Sequence, residues 1–140
     1  MHAKMIWTGR VETGAGGATA AFQYADGRRC REVEAIIGVR PYPGSLNVRL
    51  TAPFAWGGPH YEGTVLDVVA RGRGLDVEWK PRTVRLYPVA VECAPGVVVE
   101  AWAFRFDGER YRDDFVELVA GVRLRDYLKG EEVRLWEMSP

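Results

Sequence analysis

The sequence predicts a small, mainly β barrel with one or two short helices set into it. Three observations carry that expectation. Short runs of β-branched and aromatic residues recur along the chain, Gly- and Pro-bearing turns separate them, and only one segment of the first half repeats apolar residues at helical spacing. With 140 residues the chain is expected to form a single domain over 1–140, large enough to bury a core but too short for two.

Met5 to Thr13, with Ile6, Trp7 and Val11 among polar residues, reads as the first strand. Gly14-Ala-Gly-Gly-Ala18 breaks it, and Thr19 to Tyr24 resumes as a second. Asp26-Gly27 is a turn signal. Arg28 to Ile37 places Val33, Ile36 and Ile37 at helical spacing, and Gly38 is a natural C-terminal stop. Ser45 to Leu50 alternates Leu46, Val48 and Leu50 as a strand, followed by a Gly-, Pro- and aromatic-rich surface loop over Thr51 to Tyr61. Thr64 to Ala70, Val84 to Val91 and Val97 to Phe106 read as strands, separated by Arg71-Gly-Arg-Gly74 and Ala94-Pro-Gly96. Asp107-Gly108 marks another hairpin turn. Phe115 to Ala120 is a short apolar strand, Val122 to Leu128 a helical turn or two, and Glu132 to Trp136 the last strand.

Composition narrows the function. Apolar residues make up 47% and charged residues 27%, ordinary for a soluble globular protein. Nineteen basic and nineteen acidic residues cancel, which argues against a protein that coats nucleic acid. Cys30 and Cys93 match no metal spacing, and only His2 and His60 could join them, so the expectation is buried thiols in a reducing compartment and no zinc. No apolar run reaches the roughly 18 residues that span a bilayer, and no signal-peptide core opens the chain. A cytoplasmic protein without a membrane partner is expected.

Three segments carry chemistry. Gly38-Val-Arg-Pro-Tyr-Pro-Gly-Ser-Leu-Asn-Val-Arg-Leu50 joins a helix stop, a rigid turn and a strand entry. Residues two apart on a strand share a face, so Ser45 and Asn47 would present a hydroxyl and an amide oxygen side by side. Hard cations such as magnesium take oxygen ligands, often with substrate phosphates completing the shell. An ordinary hairpin turn with polar strand residues fits the same pattern. Gly14-Ala-Gly-Gly-Ala18 lets successive backbone N–H groups turn inward as an anion-binding concavity, although it lacks the Lys-Ser/Thr of a P-loop and stands between strands. A flexible turn is its simpler reading. Glu117 lies inside the apolar run Phe115-Val-Glu-Leu-Val119. Facing solvent it needs no explanation; facing a pocket it would bind hydroxyls or tune a proton transfer. Arg123 and Arg125 would either meet phosphates or stay solvated.

In this order the blocks resemble the archaeal CTP-dependent riboflavin kinases, small proteins of the cradle-loop barrel fold. Gly14-Ala-Gly-Gly-Ala18 is similar to that family's Gly-x-Gly-x-Gly loop. Gly38 to Asn47 is similar to its Pro-Tyr-x-Gly-Thr-Leu-Asn signature, the most specific block. Glu117-Leu-Val-Ala120 with Leu124-Arg125 is similar to its Glu-x-x-Ala and Leu-Arg pattern, and Leu86-Tyr-Pro88 echoes a Leu-Pro on a middle strand. The resemblance implies a cradle-loop-type barrel that transfers the γ-phosphoryl group of CTP to riboflavin, giving FMN and CDP.

It implies roles as well. Gly14, Ala15, Gly16, Gly17, Ala18, Thr19 and Ala20 would cradle the CTP phosphates, and Val122, Arg123, Leu124 and Arg125 would contact the nucleotide. Ser45, in place of the usual Thr, and Asn47 would hold Mg2+. Glu117 would meet the ribityl side of the flavin and align or deprotonate its hydroxyl, with Asn47 as the second catalytic position. One departure stands on the acceptor side. Where the family carries a Lys-Lys-Thr-like stretch and a His, this chain has Asp107-Gly108-Glu109 and then Tyr111. Glu109 thus falls at a substrate-binding position, where it would repel a phosphate dianion. That departure leaves open a nucleotide-dependent kinase for another small hydroxylated acceptor. Leu128-Lys-Gly-Glu-Glu-Val133 is also similar to swapped-hairpin DNA-binding and scaffold barrels, a reading that the neutral net charge and the Gly14 loop oppose.

Overall fold

The computed structural model describes residues 5–12, 27–70, 77–108 and 110–139. The Gly14–Ala18 connection, the strand expected over Thr19–Tyr24, the Arg71–Gly74 break and Glu109 lie outside the described residues. Among the described residues seven strands form one antiparallel sheet: β1 Ile6–Glu12, β2 Leu46–Leu50, β3 Tyr61–Ala70, β4 Val77–Ala94, β5 Val97–Phe106, β6 Phe115–Val119 and β7 Glu132–Glu137. Their order is β3-β4-β5-β6-β2-β1-β7, and β7 pairs back onto β4. The pairing therefore closes a barrel-like ring through β4, β5, β6, β2, β1 and β7, with β3 outside it.

β4 serves two neighbours along one edge, besides β5 on the other, because it is long. Its first half pairs with β3 (Val77 opposite Ala70, Leu66 opposite Pro81) and its last part with β7 (Val89 opposite Glu137, Glu92 opposite Arg134). The sequence places its start near Val84, whereas the strand begins at Val77. The proline explains the difference. Pro81 has no N–H to give a ladder, but β5 begins to pair with β4 only at Val84, so Pro81 has a strand on one side alone.

Alternation along the strands makes two cores. Leu46, Val48 and Leu50 of β2, Val89 and Val91 of β4, Val116 and Leu118 of β6 and Leu135 of β7 fill the ring. Each such side chain removed from water contributes about 1.5–3 kcal/mol. Residues of opposite parity, Val65, Val84, Leu86, Trp102, Phe104 and Val119, face outward and are covered by the helix α1, Arg28–Ile37, through Cys30 and Val33.

α1 runs where the apolar spacing predicts it. Gly38, at φ 79°, ends it in the left-handed conformation and donates its N–H to Glu34 O at 2.8 Å. The helix lies close on β3 because position 63 is glycine: a Cβ there would stand 2.4 Å from the Ile36 side chain. The helical turn expected over Val122–Leu128 is a 3-10 turn at Leu124–Tyr127. Cys30 and Cys93 are both buried free thiols. Among the described residues no helix is long and apolar enough to cross a membrane.

Candidate active site

Asn47 is the point at which the site assembles. In register it stands opposite Glu117 of β6 on one side and opposite Glu12 of β1 on the other. Cross-strand neighbours have Cβ atoms about 5 Å apart, so the Asn47 amide and the Glu117 carboxyl lie side by side. Both point outward from the ring toward the α1 layer, and both are buried, at 6% and 9% exposure. Ser45, two residues before Asn47, reaches the same region.

Burial governs Glu117. Removal from water pushes its carboxyl up from the ordinary 4.5 to about 7, against the Ser45 hydroxyl and then the more distant Arg29 charge, which both pull it down. The Ser45 hydroxyl is near enough to exert that pull, yet neither Ser45 Oγ nor Glu117 Oε1 makes a hydrogen bond of full geometry within the protein. Of the two readings the sequence left open for Glu117, the solvent-facing one does not hold, since the residue is 9% exposed.

The turn before β2 forms one wall of a cleft. Tyr42 donates its N–H to Ala120 O at 2.7 Å, which fastens the Pro-rich turn to the chain leaving β6. Between Tyr42–Leu46 and Arg123–Arg125 this leaves a cleft of about 170 Å3. The structure thus brings the predicted metal corner and the predicted nucleotide segment together. The four residues of that segment differ in what they offer. Leu124 is packed in the ring core and also borders the cleft. The Arg123 guanidinium is held by Asp126 at 2.9 Å. Arg125 is exposed, and Val122 half-exposed.

Gly14 to Ala20, expected to cradle phosphates, lie outside the described residues, as does Glu109. Glu12, two residues before Gly14, is nevertheless the register partner of Asn47. Asp107 is engaged within the protein, 3.4 Å from Arg85.

Sequence reasoning missed Arg29 and Trp102. Arg29 is 4% exposed, over the Phe106 ring, and donates from Nη2 to Leu66 O at 3.3 Å and Asp67 Oδ1 at 3.2 Å. A signal for it existed, since residues 29, 33 and 36 follow the spacing of a single helix face. A cation on an apolar face is an anomaly of the same kind as Glu117. A larger, shallower depression of about 620 Å3 lies between Arg10, Ala94–Pro95 and Lys129–Glu132. Among the described residues no buried unpartnered polar side-chain atom lines it, and Arg10 is paired with Glu131.

Comparison with known proteins finds a family and named relatives. The family model CTP-dep_RFKase, described as a domain of unknown function, DUF120, matches residues 14–135. A riboflavin kinase of Aeropyrum pernix is 32% identical over 119 residues, covering 79% of this chain and 81% of the relative. A riboflavin kinase of Thermofilum pendens is 32% identical over 102 residues, covering 71% of this chain and 44% of the relative. A third, from Methanocella arvoryzae, is 31% identical over 136 residues, 93% of this chain and 56% of its own length. The chain thus spans about half the length of the last two.

Proposed function

Since the chain belongs to the CTP-dep_RFKase family, we propose that it transfers the γ-phosphoryl group of CTP to the primary hydroxyl of riboflavin, releasing FMN and CDP. The observation that carries this reading is the buried Asn47–Glu117 pair beside the cleft of Arg123–Arg125. Phosphoryl transfer asks a protein chiefly for positioning and charge neutralisation. Glu117, with a pKa near 7, takes the hydroxyl proton as the bond to phosphorus forms, and burial keeps bulk water from competing.

The oxygen donors present suit Mg2+. Ser45 Oγ is buried with no protein hydrogen-bond partner among the described residues, and Asn47 adds an amide oxygen beside it. Ser45 and Asn47 would hold the ion, which supplies neutralisation of phosphate charge. Arg125 and the backbone of Val122–Leu124 bind the nucleotide at the cleft, and Gly14–Ala20 enclose its phosphates.

The test is FMN formation from CTP, Mg2+ and riboflavin, followed by chromatography. Asn47→Ala is expected to lose about a hundredfold in rate, in the range of removing one charge-stabilising group. No FMN from the wild type, or an Asn47→Ala variant as fast as the wild type, overturns the reading. Release of CDP with another polyol but not with riboflavin would reassign the acceptor, as the acidic Asp107-Gly108-Glu109 segment invites.

A further inference from the structure

The layer between α1 and the outer face of the sheet holds several buried polar atoms with no protein hydrogen-bond partner among the described residues. They include Arg29 Nε and Nη1, Glu32 Oε1, Ser45 Oγ, Trp102 Nε1 and Glu117 Oε1. Proteins rarely leave buried polar atoms unpaired, and a buried tryptophan N–H usually finds an acceptor. Here the exceptions gather in one layer. Arg29 and Glu32 come from α1, Trp102 and Glu117 from the outward faces of β5 and β6, and Ser45 from the entry to β2. Trp102 is 4% exposed and stands opposite Val119; Phe104, two residues on, stands opposite Glu117. Residues two apart on a strand are separated by about 7 Å, so the Trp102 indole and the Glu117 carboxyl are within reach of one short ligand.

The chemistry of these atoms selects that ligand. The indole and the guanidinium only donate, and Glu32 Oε1 only accepts while ionised. A chain of hydroxyls, each able to donate and accept, complements all of them, whereas a phosphate would be repelled by Glu32 and an ammonium by Arg29. We propose that the polyhydroxyl chain of the phosphoryl acceptor lies in this layer, with Trp102 Nε1 donating to one of its hydroxyl oxygens and Arg29 to another. The inference rests on the riboflavin kinase reading and adds two acceptor-binding residues to it. Arg29 Nη2 is held by Asp67, and its Nε stands 3.9 Å from Glu32 Oε1, so the guanidinium is fixed before any ligand arrives.

Trp102→Phe removes the donor and keeps an aromatic ring. Riboflavin affinity, read from flavin fluorescence, is expected to fall about three- to tenfold, the size of one lost hydrogen bond, while CTP affinity stays within about twofold. A second readout needs no variant. In the wild type, the Trp102 indole N–H resonance is expected to shift when riboflavin is added and to stay in place with CTP alone. Unchanged riboflavin affinity in Trp102→Phe, or an unmoved indole resonance at saturating riboflavin, overturns the inference and leaves the kinase reading standing. A wild-type protein that neither binds nor phosphorylates riboflavin overturns both.

Discussion

A glutamate in water titrates near 4.5, and in this fold Glu117 holds its proton to about 7 because burial disfavours the carboxylate. Between those values the folded chain keeps a proton that the unfolded chain has released. The stability associated with the neutral carboxyl is therefore fully present below about pH 4.5 and is lost as pH rises through about 7, a loss of about 3 kcal/mol. Glu117→Gln keeps the shape and removes the ionisation. In the absence of divalent cations its unfolding free energy is expected to gain on the wild type by up to about 3 kcal/mol between pH 4.5 and 8, measured by urea titration. A difference that stays constant over that window would mean that the carboxyl is not desolvated. The same variant is expected to slow FMN formation by about a hundred- to ten-thousandfold, since it can no longer accept a proton. In the sequence Glu117 was visible as an anomaly within an apolar run. Its direction was not, because the β2–β6 register that sets it opposite Asn47 joins segments some seventy residues apart.

At the scale of elements, α1 is fastened to β3 in two ways. Glu32 Oε2 accepts the Leu66 N–H at 2.7 Å, and Arg29 holds Asp67. Closeness itself depends on Gly63, over which Ile36 rests. Gly63→Ala is expected to destabilise the protein by about 1–3 kcal/mol through overpacking. Ile36→Ala opens the space that the added methyl needs. The double variant should thus lose less than the sum of the two single losses, and additive losses in chemical denaturation would show that Gly63 and Ile36 do not meet. The helix itself was legible, bounded by Gly27 and Gly38 with Val33 and Ile36 between. Strand β2 was legible from alternation, and β5 and β6 as strand-like runs bounded by turns. The early part of β4 was not: Pro81 reads locally as a breaker, and only the place where β5 starts to pair makes it harmless. Trp102 was passed over for a related reason, since a tryptophan in a strand reads as core until its N–H is found without a partner.

The whole molecule joins a closed ring to a helix-covered layer, and the two differ in how they can open. Side chains within the ring come from every one of its strands, so exposing Val48, Val116 or Leu118 requires breaking the closure between β4 and β7 or several ladders together. α1 is held by one face and by the Arg29, Glu32 and Gly63 contacts, and it can lift without opening the ring. Amide exchange in α1 is thus expected to proceed by an opening of lower free energy than that of β2 and β6. Lifting α1 would also take Arg29 and Glu32 away from the proposed acceptor site. With riboflavin, CTP and Mg2+ each present, and riboflavin at about a hundred times its dissociation constant, that opening should become about 2.7 kcal/mol harder, slowing α1 exchange by about a hundredfold. Hydrogen exchange with and without ligands decides the matter. If α1 exchanges equally fast in both while the ligands raise the melting temperature, the ligands bind without the helix, and the acceptor must lie on the ring alone.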